Sequence, residues 1–410
     1  MLYQLHEFQR SLLQPMSTVA EVGASLYTNP YSPLAYLPFA NRIAASYGLL
    51  HRLGKDYEKP AFGISTTEVD GVTMDVVEQI SKKKSFCNLI HFRKVPEDGL
   101  EYAPQPKVLL VAPLSGHFAT LLRDTVRALI PKHEVYITDW ADAKMVPLSE
   151  GAFHLHDYVH YVIDFIHFLG EDVNVISVCQ PTVPVMAAVS LMSSNKDPLI
   201  PKTMTMMGGP IDTRKSPTSV NTLAVTKPHS WFENNVIYTV PPNYPGFLRR
   251  VYPGFLQHAG FVAMNPDRHM SSHQDFYMHL IEGDGESAEA HRRFYDEYNA
   301  VLDMPAEYYL ETIKTVFQEH ALPAGTWFVK GQRVAPEDIT QTALFTIEGE
   351  LDDISGSGQT ESAQALCSGI PAERKQHLTA EKCGHYGIFS GRRWRESICP
   401  QIEAFIRKHA

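Results

Sequence analysis

The sequence predicts an α/β protein: a mostly parallel central sheet with helices on both faces and a large, mostly helical cap insertion. Three observations predict it. From Lys107 onward, short dry strands alternate with helical segments, the pattern of a parallel sheet covered on both sides. The alternation stops near Ile211 and resumes near Ala343. The stretch between is rich in Tyr, Phe, His and Pro and reads mostly helical. The chain therefore divides into an N-terminal helical segment (1–60), a first part of the sheet domain (61–211), an aromatic-rich cap insertion (212–335) and a second part of the sheet domain (336–410).

Taken in order, the first segment has apolar positions at helical spacing, Leu5, Phe8 and Leu12, then Ile43, Tyr47 and Leu50. Asn29-Pro30 and Ser32-Pro33 interrupt it. Thr66 to Val69 reads as a strand, Asp70-Gly71 as a turn, and Val72 onward as strand or helix; Cys87 to Phe92 is a further strand. KVLLVAPL from Lys107 is a buried strand, followed by a loop and a helix over about 118–129. Strands at 134–140, 173–178 and 203–207 follow, with helices over about 153–169 and just after 178. Beyond the insertion come a strand at Ala343, a helix over 358–367, a strand over 376–380, and a closing helix over about 393–409 kinked or restarted at Pro400.

Composition excludes several functions. Acidic residues outnumber basic ones, 46 to 36, for a net charge of −10, which argues against a nucleic-acid partner. No apolar run reaches the ~18 residues a membrane span needs. The start, MLYQLHEFQRSLLQPM, lacks the basic, apolar and small-residue regions of a secretory signal. Five cysteines at positions 87, 179, 367, 383 and 399 fit no zinc spacing and read as free thiols in a reducing cytoplasm. His156 and His160 form an i, i+4 pair, but no Glu follows in the HExxH manner, so no metal is expected. Gly283-Asp-Gly-Glu and Gly356-Ser-Gly match no phosphate loop, and no cofactor is expected. A homo-oligomer is left open.

The sharpest signal is VNVISVCQPTVPVMAA from Val173: a buried strand ends, the chain turns at once, and an apolar helix begins with Cys179 at the apex. This is the layout of a nucleophile elbow, with Ser177 and Pro181 where glycines usually stand. A small Ser suits the first position, and Pro is tolerated in a helix's first turn. Backbone donors and the helix dipole at that point favour a thiolate. The bland alternative is one more buried structural thiol. Two further residues weigh against it. After the strand at Ala343 comes IEGELDDI, where Asp352 stands at the spacing of the acid in α/β hydrolases and Asp353 is its neighbouring alternative. Then CGHYGIF places His385 between glycines, after a strand and before the last helix. The chain order Cys, Asp, His is that of the hydrolase fold. The expected chemistry is attack by Cys179 on an ester carbonyl, with His385 as base and Asp352 orienting it. One oxyanion donor is expected to be the N–H of Gln180, the other that of Ser115 or Gly116 in the loop after the first strong strand.

The segments SVCQP (177–181), GELDDISG (349–356) and CGHYGIFSG (383–391), with MLYQLHEFQRSLLQP at the start and YITDWADAKMVP (136–147), resemble the intracellular poly(3-hydroxybutyrate) depolymerases. The resemblance implies a cytoplasmic α/β hydrolase of the cysteine-nucleophile type, acting on polyhydroxyalkanoate granules as its polymer partner and giving 3-hydroxybutyrate oligomers and monomer. Carried over by position, its triad is Cys179, Asp352 and His385. Two competing expectations remain. One is a polyhydroxyalkanoate synthase-like acyltransferase using a coenzyme A thioester, although Gln180-Pro181 departs from the G-x-C-x-G turn of those enzymes. The other is a catalytically silent granule-coat protein. Contact with the granule is expected through the N-terminal segment, with its apolar face interrupted by prolines, and the cap, at residues such as Tyr27, Tyr31, Tyr252 and Phe255.

Overall fold

A computed structural model describes residues 2–96, 102–264 and 266–409. Its centre is a nine-stranded sheet of order β1-β2-β3-β5-β4-β6-β7-β13-β14. The strands are β1 (Thr66–Val69), β2 (Val72–Lys83), β3 (Cys87–Val95), β4 (Lys107–Val111), β5 (Glu134–Trp140), β6 (Val173–Val178), β7 (Thr203–Met207), β13 (Ala343–Gly349) and β14 (Lys375–Ala380). From β5 to β14 every pair is parallel. β1, β2 and β3 add an antiparallel flank, so Val72 onward is strand. The parallel strands are dry because both faces are covered: every residue of β6, β7 and β13 is buried. On one side α4 (Leu155–Leu169) packs on α5 (Thr182–Ser194). On the other, α3 (Arg123–Leu129) meets the C-terminal stretch, where Trp394 Nε1 donates to Asp124 C=O and Lys132 pairs with Glu403. This is the α/β-hydrolase fold.

The closing helix restarts at Pro400, which is the second residue of its last α-helical part. After α12 (Ser362–Leu366) and α13 (Gly391–Arg393), residues Trp394–Ile398 form a wide π turn that leads directly into α14 (Cys399–His409). A wider turn has no i−4 bond for the proline to remove. Residues 358–367 form a shorter helix than the sequence implied, α12 alone.

The insertion between β7 and β13 holds α6 (Ser219–Thr226), α7 (His229–Val236), α8 (Gly254–Met264), α9 (Pro266–Glu282), α10 (Gly285–Asn299) and α11 (Ala306–Thr312). Short strands β8 (Tyr238–Thr239), β9 (Arg250–Tyr252) and β10 (Met304–Pro305) form a ribbon, and β11 (Phe328–Val329) pairs with β12 (Gln332–Arg333).

The N-terminal segment is a hairpin of α1 (Leu2–Thr28) and α2 (Ala40–Gly54). Small residues Ser17, Ala20, Ala44 and Ala45 are buried, which lets the two helices approach closely. Tyr3 anchors the start of α1: its hydroxyl donates to Asp303 Oδ2 at 2.6 Å. Asp303 lies beside Asp142, and burial together with that neighbouring charge pushes it up to about 7. The opening segment and the segment around Asp142, distant in sequence, therefore meet through the insertion.

Two expectations need correction here. Pro15 lies inside α1 without interrupting it, and Pro30 and Pro33 fall after it, so the apolar face of α1 is continuous: Leu5, Phe8, Leu12, Met16, Val19 and Leu26 are all exposed. Tyr252 and Phe255 are not surface contacts. Tyr252 lines an internal cavity, and Phe255 packs edge-on against Tyr3 (5.5 Å) and stacks on His6 (4.0 Å). Tyr31 does stand out, 94% exposed, whereas Tyr27 stacks on Tyr47.

Candidate active site

The strand order reverses around β4, and crevices beyond the carboxyl ends of parallel strands at such a point are where open α/β sheets bind ligands. Five carboxyl ends converge there. Ser115 and Gly116 follow β4, Cys179 follows β6, Gly208 follows β7, Asp352 follows β13, and His385 follows β14.

At the elbow, Cys179 takes a left-handed backbone conformation, φ 68°, which costs a non-glycine residue of order 1 kcal/mol or more. The turn is held from both sides: Cys179 N–H donates to Met207 C=O at 2.7 Å, and Thr182 N–H donates to Cys179 C=O at 3.1 Å. Ser177 fits without a glycine because its hydroxyl donates to Thr205 C=O across the sheet. Pro181, φ −57°, caps α5. Cys179 is half-buried, whereas Cys87, Cys367, Cys383 and Cys399 are buried.

His385 is buried and its Nδ1 lies 2.7 Å from Asp352 Oδ2. The other oxygen, Oδ1, accepts the N–H groups of Ile354 (2.9 Å) and Ser355 (2.8 Å), so the carboxylate is aimed by its own loop. It is Asp352, not the exposed Asp353, that meets the ring. Burial alone would pull the imidazole down. Cys179 on one side and Asp352 on the other raise it, and the net value stands well above that of an ordinary histidine. With Nδ1 engaged by Asp352, Nε2 is the nitrogen left for the thiol. The ring has room only because residue 208 is glycine: at φ +56°, an added Cβ would sit 3.2 Å from His385 Cε1 and 2.7 Å from Ile388 Cδ1.

Cys179, Gln180, Ser115 and His385 all line one cavity of about 610 Å³. Its walls are mainly apolar and come largely from the insertion, among them Phe232, Phe261, Met304 and Tyr309. Sequence reasoning missed three polar groups here. His117 is buried, with Nε2 3.1 Å from Tyr298 C=O, and burial pulls it down to about 4, so it is neutral. Gln257 is buried in α8 and also lines the cavity. Gln180 was named only for its backbone, yet both side-chain amide atoms are buried without a partner among the described residues. His117 and Gln257 carry no motif, and the side chain of Gln180 carries no signal of its own; a glutamine in an aromatic segment announces nothing until the walls are assembled.

His156 does not join His160 in a metal-like pair. Among the described residues, one group of possible ligands is His154, His156 and Glu311. There His154 Nδ1 is already 2.6 Å from Glu311 Oε1, and Glu311 Oε2 accepts the Leu155 N–H, which ties α4 to α11. The other is Glu348, Glu361 and His377, where both Glu348 oxygens receive backbone N–H groups, from Gly358 and Glu361. Both groups serve as structural polar ties. No helix among the described residues is long and apolar enough to cross a membrane.

No curated protein is matched by this chain. Among solved structures, a putative lipase from Acinetobacter baumannii AYE is similar at 10% identity, over 81% of this chain and 93% of that one, with a TM-score of 0.43. A Paleococcus ferrophilus monoacylglycerol lipase aligns at 15% identity, over 75% and 97%, with a TM-score of 0.43. A 2-hydroxy-6-oxo-6-phenylhexa-2,4-dienoate hydrolase from Rhodococcus sp. strain RHA1 aligns at 12%, over 82% and 99%, also at 0.43. The family profile described as "PHB de-polymerase C-terminus" matches residues 208–410, a span that holds Asp352 and His385 and begins after Cys179. That match and the hydrolase sheet together support an ester hydrolase of the α/β-hydrolase superfamily, similar over residues 208–410 to the polyhydroxybutyrate depolymerases.

Proposed function

We propose that this protein is an intracellular poly(3-hydroxybutyrate) depolymerase that works on cytoplasmic granules through Cys179, His385 and Asp352. One observation carries the reading. A half-buried thiol sits at a strained strand-to-helix turn and faces an imidazole buried against a carboxylate, inside an apolar cavity. His385 takes the thiol proton and Asp352 stabilises the resulting cation. The sulfur attacks an ester carbonyl, and the N–H of Gln180 with that of Ser115 or Gly116 receives the oxyanion. Collapse expels the alcohol, which takes the proton from His385, and leaves an acyl-thioester. Water, deprotonated by the same histidine, then releases the acid and the free thiol. The test is release of soluble 3-hydroxybutyrate from amorphous granules, with free coenzyme A followed in parallel. Coenzyme A turnover without hydrolysis would indicate an acyltransferase, and neither activity a silent coat protein.

The geometry around Gly208 sets a sharp condition on this mechanism. Gly208→Ala should lower kcat on a soluble ester by ~10–100-fold, since displacing a catalytic group by about 1 Å costs that much. A variant with wild-type kcat would show that the ring has more room than the 3.2 Å approach allows.

For granule contact we propose the outer face of α1. Among its described residues, the exposed positions carry a single formal charge, Glu21. A face without basic residues suits a neutral polyester better than an anionic lipid surface. Replacing Leu5, Phe8 and Leu12 together by Gln should weaken co-sedimentation with amorphous granules by ~10-fold or more, given ~25 cal/mol per Å² of apolar area. Hydrolysis of a soluble ester should be unchanged. Amorphous granules should be degraded and crystalline film should not, because a chain in a crystal must leave its lattice to enter the cavity. Equal rates on both would contradict this.

A further inference from the structure

Gln257 holds an unsatisfied acceptor in the wall of the reactive cavity. Its residue is 3% exposed. Its Nε2 donates to two backbone carbonyls, Tyr252 O at 2.8 Å and Leu302 O at 3.0 Å. Only the nitrogen can make those bonds, so the amide cannot be flipped, and the position of Oε1 follows from them. Oε1 is buried and has no partner among the described residues. It lies beside the loop after β4: a methyl group on Gly116, φ +118°, would come within 2.8 Å of it. An orphaned buried acceptor costs roughly 1–3 kcal/mol. It therefore calls for a donor that arrives with the substrate or from water.

We infer that Gln257 Oε1 marks a subsite for the free hydroxyl end of the hydroxyacyl chain. This rests on the polyester reading above. The inference follows from the inventory of groups on such a chain. Every internal unit offers only ester oxygens, which accept hydrogen bonds and cannot satisfy Oε1. The hydroxyl terminus is the chain's alcohol donor. Gln180 provides the contrast: its amide, with both atoms unpaired, can serve any ester carbonyl and so does not distinguish an end from a middle. Around Oε1 the wall is Phe261 and His117, which stack at 4.8 Å; His117 is neutral and its Nε2 is turned to Tyr298 C=O. A chain whose hydroxyl end is seated there has its nearby ester linkages in the cavity that holds Cys179, so short products are released from that end.

The experiment compares linear 3-hydroxybutyrate trimer with the same trimer O-acetylated at its hydroxyl end, using p-nitrophenyl butyrate as a control ester. For the wild type, capping is expected to lower kcat/KM by ~10–100-fold, the value of one buried hydrogen bond lost with its acceptor left unpaired. In Gln257→Met the two trimers should become equal within about three-fold, with the loss, taken relative to p-nitrophenyl butyrate in the same variant, falling on the free-hydroxyl trimer. Should Gln257→Met fail to fold, the wild-type comparison decides alone. Equal wild-type rates on capped and uncapped trimers overturn the subsite and leave the polyester reading intact; water is then the partner of Oε1. Cleavage of p-nitrophenyl butyrate with neither trimer cleaved overturns the polyester reading, and the subsite falls with it.

Discussion

Cys179→Ala should reduce ester hydrolysis by ~10⁶-fold, the order of loss when a triad nucleophile is removed, with the fold intact. The fold should survive because the residue is half-buried at an apex and because a smaller side chain at φ 68° adds no strain. Thermal unfolding and granule hydrolysis measured side by side separate the two effects. A variant retaining more than a few per cent of activity removes Cys179 as the nucleophile. Alkylation tests the same assignment without mutation. Burial pushes the thiols of Cys87, Cys383 and Cys399 up, and that of Cys367 up to about 12. One equivalent of iodoacetamide should therefore label Cys179 and abolish activity together. Inactivation with the label on any of the other four would be fatal to the assignment.

Asp352→Asn should cost less but still heavily, ~10⁴-fold in kcat, because an amide at that position no longer holds the imidazole in the tautomer that can take a proton from the thiol. Asp353→Asn should change kcat by less than about three-fold, as expected of an exposed carboxylate. The reverse ranking would move the acid by one residue. The pH profile gives an independent readout. His385 is raised in the fold, so its imidazolium persists above the usual histidine range, and the acid limb of kcat/KM, below which the base is protonated and idle, should lie above pH 6.5. Asp352 is one of the two groups that raise it, so its removal should move that limb to lower pH. The same sign holds for stability. What the raised histidine contributes is complete below the unfolded value and is lost as pH climbs through the folded one.

The apolar character of the cavity explains why these groups are arranged as they are. A thiol, an imidazole and a carboxylate in a site with few other charges interact through a low local dielectric, which strengthens both their attraction and the cost of leaving one unpaired. The insertion supplies that environment. Its aromatic residues pack as an ordinary core, as Phe276 does, or face the cavity, as Phe261 and Tyr309 do.

The sequence by itself determined the parallel sheet, the turn at Cys179 and the chain order of Cys179, Asp352 and His385. Each of these is written in short-range chemistry: strands that are dry along their whole length, a strand passing at once into an apolar helix, a histidine between glycines after a strand. Periodicity and turn chemistry act over a few residues, so they can be read from a few residues. Only the tertiary structure decided which of two adjacent aspartates reaches His385, because adjacent residues differ in direction and not in local signal. It also decided that Pro15 leaves α1 unbroken and that Tyr252 belongs to a cavity wall and Phe255 to packing against α1, where sequence reasoning had put both at the surface. Gln257 was invisible for the same reason. Its meaning lies in two carbonyls that fix its nitrogen and a loop some 140 positions earlier that faces its oxygen. Those relations are set by strand register and by packing between distant segments, and neither leaves a trace in the residues immediately around it.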